Sequence, residues 1–272
     1  MSVKASIIIS TYNNPEWLQK VLWSYESQTE SDFEIVIADD GSGEETKTLI
    51  DTFKLRSSKH IEHVWHEDNG FQKTIILNQA ILASRSDYLI FTDGDCLARE
   101  DFVEMHLRFR NHGKFLSAGY FKLPMPISKL ISEEDIKNQN CFDIAWLKKH
   151  GLKSSFKNNK LSAGPTLAKI LNAMTPSNAS WNGHNSSGWK QDLLAVNGFD
   201  ERMQYGGEDR ELGERLFNMG IKSKQLRYSI ICVHLDHARG YVKPEMIAAN
   251  LKIRATTKKE NKVWTDHGIL KP

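Results

Sequence analysis

The chain has 272 residues, 40% of them apolar and 26% charged, with a formal net charge of +2. That length allows one large domain or two small ones around a real core, and the composition is ordinary for a globular protein. The charge is small and the basic residues are not interleaved with aromatics in a stripe, which argues against nucleic acid as a partner.

The cysteines, Cys96, Cys141 and Cys232, are far apart and form neither a zinc pair nor a disulfide framework. A reducing cytoplasm is therefore the expected compartment. No stretch approaches the roughly 18–20 apolar residues of a spanning helix. The opening MSVKASIIIS has too short an apolar run for a leader and leads directly into a strand.

Residues 6–9 read as a short apolar strand of the kind buried in a parallel sheet. Asn14 and Pro15 offer an N-cap and a first-turn proline to a helix carrying Trp17, Leu18, Val21, Leu22 and Tyr25 on one face. A second strand at 33–38 precedes Ser42 and Glu45, a capping box for a helix through Phe53. Residues 60–65 form a third strand, 75–83 a helix burying Ile76, Leu77, Ala80 and Ile81, and 88–92 a fourth strand. A helix follows with Phe102, Met105 and Phe109 inward.

This alternation predicts a parallel sheet with right-handed crossovers and helices on both faces. The ligand then belongs beyond the carboxyl ends of the strands. From 122 to about 160 the pattern weakens into a polar stretch, an insertion over the site or a connector, with one helix near 133–149. Order resumes at Trp189, with helices near 190–196 and 209–219, the latter closed by Gly220, and a strand at 228–233. The tail at 245–262 reads as a basic helix with Met246, Ile247, Asn250, Leu251 and Ile253 on a partly apolar side.

Four polar clusters fall where the sheet rule puts a ligand. Asp39-Asp40-Gly41-Ser42 ends the second strand; it reads equally as a capped turn or as a ribose- or base-binding edge. Asp93-Gly94-Asp95 follows the fourth strand, where two carboxylates can turn toward one hard cation, Mg²⁺ or Mn²⁺, with glycine letting backbone approach. An ordinary acidic turn is the alternative, and the position at a central strand end favours the metal. Gly206-Gly207-Glu208-Asp209 opens a helix. Charge–dipole capping accounts for one acid there, but not for both glycines. His234-Leu235-Asp236-His237 ends the last strand, where metal ligation and plain packing are about evenly matched.

In this order, SIIISTYNNPEWL, ADDGS, YLIFTDGDC and YGGEDRELGERL resemble a family 2 inverting glycosyltransferase of the GT-A fold. Residues 183–220 resemble the galactosyltransferase-type segment of bacterial capsule and lipopolysaccharide enzymes, including chondroitin polymerase domains. The resemblance covers most of 3–240. It implies a nucleotide-sugar-binding half at 1–121, an acceptor-binding and catalytic half at 122–242, and the basic tail at 243–272.

Carried over residue by residue, the resemblance places Ser10 and Tyr12 at the nucleoside, Asp40 on the uracil ring and Asp39 beside it. Lys73 and Asn185 lie near the donor. Asp93 and Asp95 hold ribose and metal, with His234 as a further ligand. Asp209 is the base, and Glu208 beside it contacts a sugar. Gln72-Lys73 stands where relatives often have Arg-Lys, and Tyr205 where Trp is common before the glycines, which leaves donor choice open.

The implied reaction is displacement with inversion from a UDP-sugar to a hydroxyl of a glycan or lipid-linked acceptor, as in surface polysaccharide or lipopolysaccharide synthesis. The cofactor is Mn²⁺ or Mg²⁺, and a polar segment near 154–162 closes over the site. A Mg²⁺-dependent phosphotransferase or phosphatase also uses DxD, but normally on its first strand. A non-catalytic nucleotide-sugar-binding module would keep the pocket without needing Asp209. The basic tail is a candidate for peripheral contact with the cytoplasmic face of a membrane.

Overall fold

The computed structural model describes residues 3–176, 179–238 and 242–271. Met1 and Ser2, part of the opening considered as a leader, lie outside the described residues. In chain order the first half runs β1 (Ala5–Thr11), α1 (Pro15–Glu26), β2 (Phe33–Asp39), α2 (Glu44–Arg56), β3 (Ile61–Trp65), α3 (Lys73–Ala83) and β4 (Tyr88–Asp93). A short β5 (Cys96–Ala98), α4 (Phe102–Phe109) and β6 (Lys114–Lys122) lead into α5 (Met125–Leu130), α6 (Glu133–Lys137), α7 (Ile144–Lys149), α8 (Asn159–Ser162) and α9 (Pro165–Met174). The chain then forms β7 (Ser186–Trp189), α10 (Lys190–Ala195), α11 (Glu208–Asn218), β8 (Lys222–His234) and α12 (Pro244–Lys259).

Among the described residues the strands make one eight-stranded sheet in the order β3-β2-β1-β4-β7-β6-β8-β5. The β3-β2-β1-β4 block is parallel throughout, with Ile7 opposite Ile35 and Ile90. β7 inserts antiparallel between β4 and β6. Alternate strand residues feed two cores. Ile7, Ile9, Ile35 and Ile37 pack with α1 on one face, while Ile8, Val36, Leu89 and Phe91 pack with α3 and α11 on the other. Helices therefore cover both faces, as the alternation predicts.

Several local expectations are corrected. Ser42 does not cap α2: Gly43 is the N-cap residue, while Ser42 Oγ accepts the Asn13 N–H (2.8 Å) and ties two loops together. Asn14 occupies its N-cap position without a side-chain bond. The helix expected at 133–149 is broken, because Gln139 sits in the left-handed region (φ +58) after α6, and Asp143 starts α7 by accepting the Trp146 N–H. The 122–160 stretch is folded, with Ile127, Ile131, Ile136 and Leu147 buried in the α1-side core.

β6 and α9 lie outside the elements expected from the sequence. β6 is apolar on both faces at Phe115, Leu116 and Ala118, so its period-2 pattern is weak. Its pairing with β8 shifts register between Ala118 and Gly119, and a Cβ on Gly119 would lie 2.4 Å from the Arg227 carbonyl oxygen. Only glycine fits that bulge. Among the described residues no helix is long and apolar enough to cross a membrane.

Candidate active site

The carboxyl ends of β1, β2 and β4 open onto a cleft of about 870 Å³. Its other walls come from the start of α11, the end of β8 and one side of α12. The sheet places Ser10, Asp40 and Asp93 at adjacent strand ends because β1, β2 and β4 are in parallel register. Ser10 Oγ donates to Asp93 Oδ1 (2.7 Å), and the Lys73 ammonium, from the first turn of α3, donates to the same oxygen (2.6 Å).

Burial alone would raise the Asp93 carboxyl, but the Lys73 charge and the two hydrogen bonds outweigh it and hold it well below the usual range. Burial would likewise lower Lys73, yet the negative charges of Asp93 and Glu208 dominate and keep it protonated above its ordinary value. Lys73 thus stands between the strand-end acids and the acids of α11.

Asp40 lines the cleft with one oxygen 2.8 Å from His66 Nε2 and the other accepting the Gln72 N–H (3.1 Å). Burial lifts its carboxyl above the usual range, offset in part by those two bonds. Tyr12 is half exposed at the rim and donates to Asp68.

Two expected donor contacts are not in the cleft. Asp39 is fully buried, accepting the Ser42 N–H and lying 2.9 Å from His63 Nε2, because successive strand residues point to opposite faces. Asn185 is also fully buried: its amide donates to the carbonyls of Gly119 (2.7 Å) and Ile230 (3.2 Å), and its oxygen meets His106 Nε2 (3.0 Å). It fills the gap opened by the β6–β8 bulge. Its neighbour His184 lines the cleft instead, edge-on to Tyr120, with burial lowering its imidazole to about 4.

Across the cleft, Gly206 (φ +110) and Gly207 (φ +92) turn the chain into α11. Both φ values are ones that L side chains rarely adopt. The Gly206 N–H donates back to Glu208 Oε2 (2.9 Å). Asp209 accepts the Arg210 N–H (2.7 Å) on one oxygen and the Gly183 N–H (3.2 Å) on the other. Burial and then the Asp209 charge push Glu208 up to about 7. Burial also raises Asp209, against the opposing pull of the Arg210 N–H and Lys73.

The helix is anchored behind this turn by the fully buried Arg215. Its guanidinium pairs with Glu211 (2.8 Å) and donates to the carbonyls of Val196 and Gly198. Thr257 of α12 donates to the same Glu211 (2.8 Å), so α12 is docked on α11. Its residues Met246, Ile247, Leu251 and Arg254 form a cleft wall, so the partly apolar side expected of a basic tail faces the site.

At the inner end Asp95, His234 and His237 offer ligand atoms within 4.8 Å of one another. Each imidazole has Nδ1 against a backbone carbonyl, Leu235 for His234 (2.7 Å) and Ala238 for His237 (2.9 Å). A carbonyl only accepts, so each Nδ1 donates and each Nε2 is left to face Asp95. His237 Nε2 meets Asp95 Oδ2 at 2.9 Å, and His234 Nε2 lies 3.7 Å from the same oxygen. That juxtaposition requires either a proton or a cation between the groups. The residues fit a divalent cation, and they include His237, which the sequence resemblance left aside.

A Rossmann-like sheet with helices on both faces, an acidic cleft at its strand ends and an antiparallel strand inserted beside β4 defines the GT-A class. The comparisons agree. The glycosyl transferase family 2 signature matches residues 6–120, and that of the N-terminal domain of galactosyltransferase matches 173–238. The uncharacterized glycosyltransferase YfnE of Bacillus subtilis (strain 168) is 30% identical over 92% of this chain and 69% of its own length. Chondroitin synthase of Pasteurella multocida (strain Pm70) is 25% identical over 80% of this chain, which spans only 23% of that protein.

Among solved structures, S. aureus TarS 1-349 in complex with UDP-GlcNAc superposes with a TM-score of 0.61 at 14% identity, over 95% of this chain and 69% of that one. A Pyrobaculum calidifontis mannosyltransferase in complex with GDP-Man and Mn²⁺ gives 0.58 at 16% identity, with 96% of this chain covering 63% of its length. The chain belongs to glycosyl transferase family 2.

Proposed function

We propose that this glycosyltransferase moves a sugar, with inversion, from a UDP-sugar to a hydroxyl of a glycan or lipid-linked acceptor in surface polysaccharide synthesis. The observation that carries the reading is the opposition of two acid groups across one cleft, with Lys73 between them. One group suits a bound diphosphate and the other a reacting hydroxyl.

On the donor side, Asp40 accepts the imide N–H of uracil while His66 and the Gln72 N–H hold its carboxylate in place. Ser10 and Tyr12 border the nucleoside. Asp95, His234 and His237, with Asp93 nearby, hold Mn²⁺ or Mg²⁺. When bound, the cation neutralises negative charge building on the departing nucleoside diphosphate. On the acceptor side, Asp209 is the base. Its carboxylate is oriented by two backbone N–H groups and takes the proton of the attacking hydroxyl. Glu208 adjoins it and contacts the transferred or accepting sugar.

The nucleotide half is tested by calorimetry with UDP, CDP and GDP. Preference for UDP that disappears in Asp40→Ala is the expected result, because cytosine lacks the imide proton. Tighter binding of CDP or GDP by the wild type refutes the assignment.

A further inference from the structure

Between Asp143 and Asp192 the chain carries no acidic residue, although Asp and Glu make up 34 of the 272 residues. At that density, about one in eight, a stretch of this length would hold about six. It holds lysines instead, and Lys148, Lys149, Lys153, Lys157 and Lys169 are all exposed. Within the same stretch lie four exposed apolar side chains: Phe156 at 70%, Leu167 at 46%, Ile170 at 47% and Met174 at 73%.

The last three fall at i, i+3 and i+7 of α9, which puts them on one side of that helix. The opposite side is fixed to the sheet. Ala168 is buried, Asn172 donates to Ser229 and accepts the Tyr228 N–H, and Gln225 donates to the Asn172 carbonyl. The outer side is therefore held by this anchoring and remains exposed at Leu167, Ile170 and Met174.

We infer that this face, formed by the lysine-rich segment and the outer side of α9, docks the enzyme on an anionic membrane surface. Lysine heads gain from anionic headgroups while Phe156, Leu167, Ile170 and Met174 enter the acyl boundary. The charge selects this occupant over others. A second copy meeting the same face would bring lysines against lysines, and an acidic glycan would leave the aliphatic side chains without partners. The face also adjoins the cleft entrance: Lys160 of α8 donates to the Tyr120 carbonyl (2.8 Å) and lies over its ring, and Tyr120 lines the cleft. The tail helix α12 is less suited to this role, since Met246, Ile247 and Leu251 already face the cleft.

The test is flotation of the full chain with phosphatidylcholine vesicles, with and without phosphatidylserine. Binding only to the anionic vesicles, weakened by salt, is expected. Lys148→Gln/Lys153→Gln/Lys169→Gln should reduce partitioning by about a hundredfold. Leu167→Ser/Ile170→Ser/Met174→Ser should also release the protein, with thermal midpoint and donor hydrolysis in solution unchanged, since neither set lines the cleft. The inference is overturned by failure of the wild type to bind, or by undiminished binding of either triple variant. It is equally overturned if only Lys252→Gln/Lys258→Gln/Lys259→Gln in α12 abolishes flotation, or if the apolar variant instead converts a dimer to a monomer in gel filtration.

Discussion

The two walls of the cleft treat their acids differently. On the sheet wall two strand-end carboxylates are already held by side-chain partners, Asp40 by His66 and Asp93 by Lys73 and Ser10. On the helix wall Glu208 and Asp209 stand side by side, held by backbone N–H groups and sharing the more distant charge of Lys73. Carboxylates held in this way are pre-organised to bind. Adjacent, under-compensated carboxylates have raised proton affinity, which suits a group that must take a proton. In the proposed function, the sheet wall recognises the donor and the helix wall carries the reaction.

The largest effect that tests this contrast is expected at Asp209. Asp209→Asn keeps the shape and one of the two backbone N–H contacts but cannot accept a proton, so turnover should fall by about 10²–10⁴-fold. UDP affinity should hardly change, because the loss is confined to the transition state. Single-turnover kinetics with parallel calorimetry measures both, and near-normal turnover would mean the base is elsewhere.

Removing the cation should act on the other wall. Excess chelator should abolish transfer, and Asp95→Ala and His237→Ala should each weaken Mn²⁺ binding by at least tenfold, read directly by paramagnetic resonance of the free ion. Full activity in chelator, or unchanged Mn²⁺ affinity in both variants, would remove the metal site from the cleft.

A smaller effect concerns Glu208. Its folded value of about 7 lies above that of an unfolded glutamate, so the folded state retains a proton that the unfolded chain has lost. Stability from this group is therefore present at acid pH and declines as pH rises from the unfolded value through about 7. Glu208→Gln should raise the melting temperature at pH 8, by about 2–4 °C for each kcal/mol relieved, and leave it nearly unchanged at pH 4. It should also move the acid limb of the pH–rate profile downward, since Asp209 loses a negative neighbour. Identical shifts at both pH values would contradict the assignment.

The smallest expected change in function, with a clear cost in stability, is at Asn185. Replacing it with alanine strands the Gly119 and Ile230 carbonyls at the sheet bulge and should destabilise by about 1–3 kcal/mol. UDP affinity in the folded variant should match the wild type. A selective loss of donor binding, without loss of stability, would return Asn185 to the role that its resemblance to relatives implied.

The parallel half of the sheet was legible because its signals are local. Buried strands such as Ile7–Ile9 are continuous apolar runs, α1 and α3 show helical spacing, and the acids stand immediately after strand ends. The C-terminal half was less so. Gln139 breaks a helix through a backbone conformation that its side chain does not advertise, and β6 loses its alternation because both of its faces are covered.

By itself, the sequence determined the order of β1 to β4, the strand ends that carry acids and the glycine-led start of α11. Each depends on residues a few positions apart. Only the tertiary structure decided that Asp40 faces the cleft while Asp39 turns to His63, that Asn185 braces a bulge while His184 lines the site, and that His237 joins Asp95. It also turned the basic tail into a cleft wall through Thr257 and Glu211. Neighbours in a chain can point in opposite directions, and which of them reaches the ligand depends on contacts with residues far away in sequence.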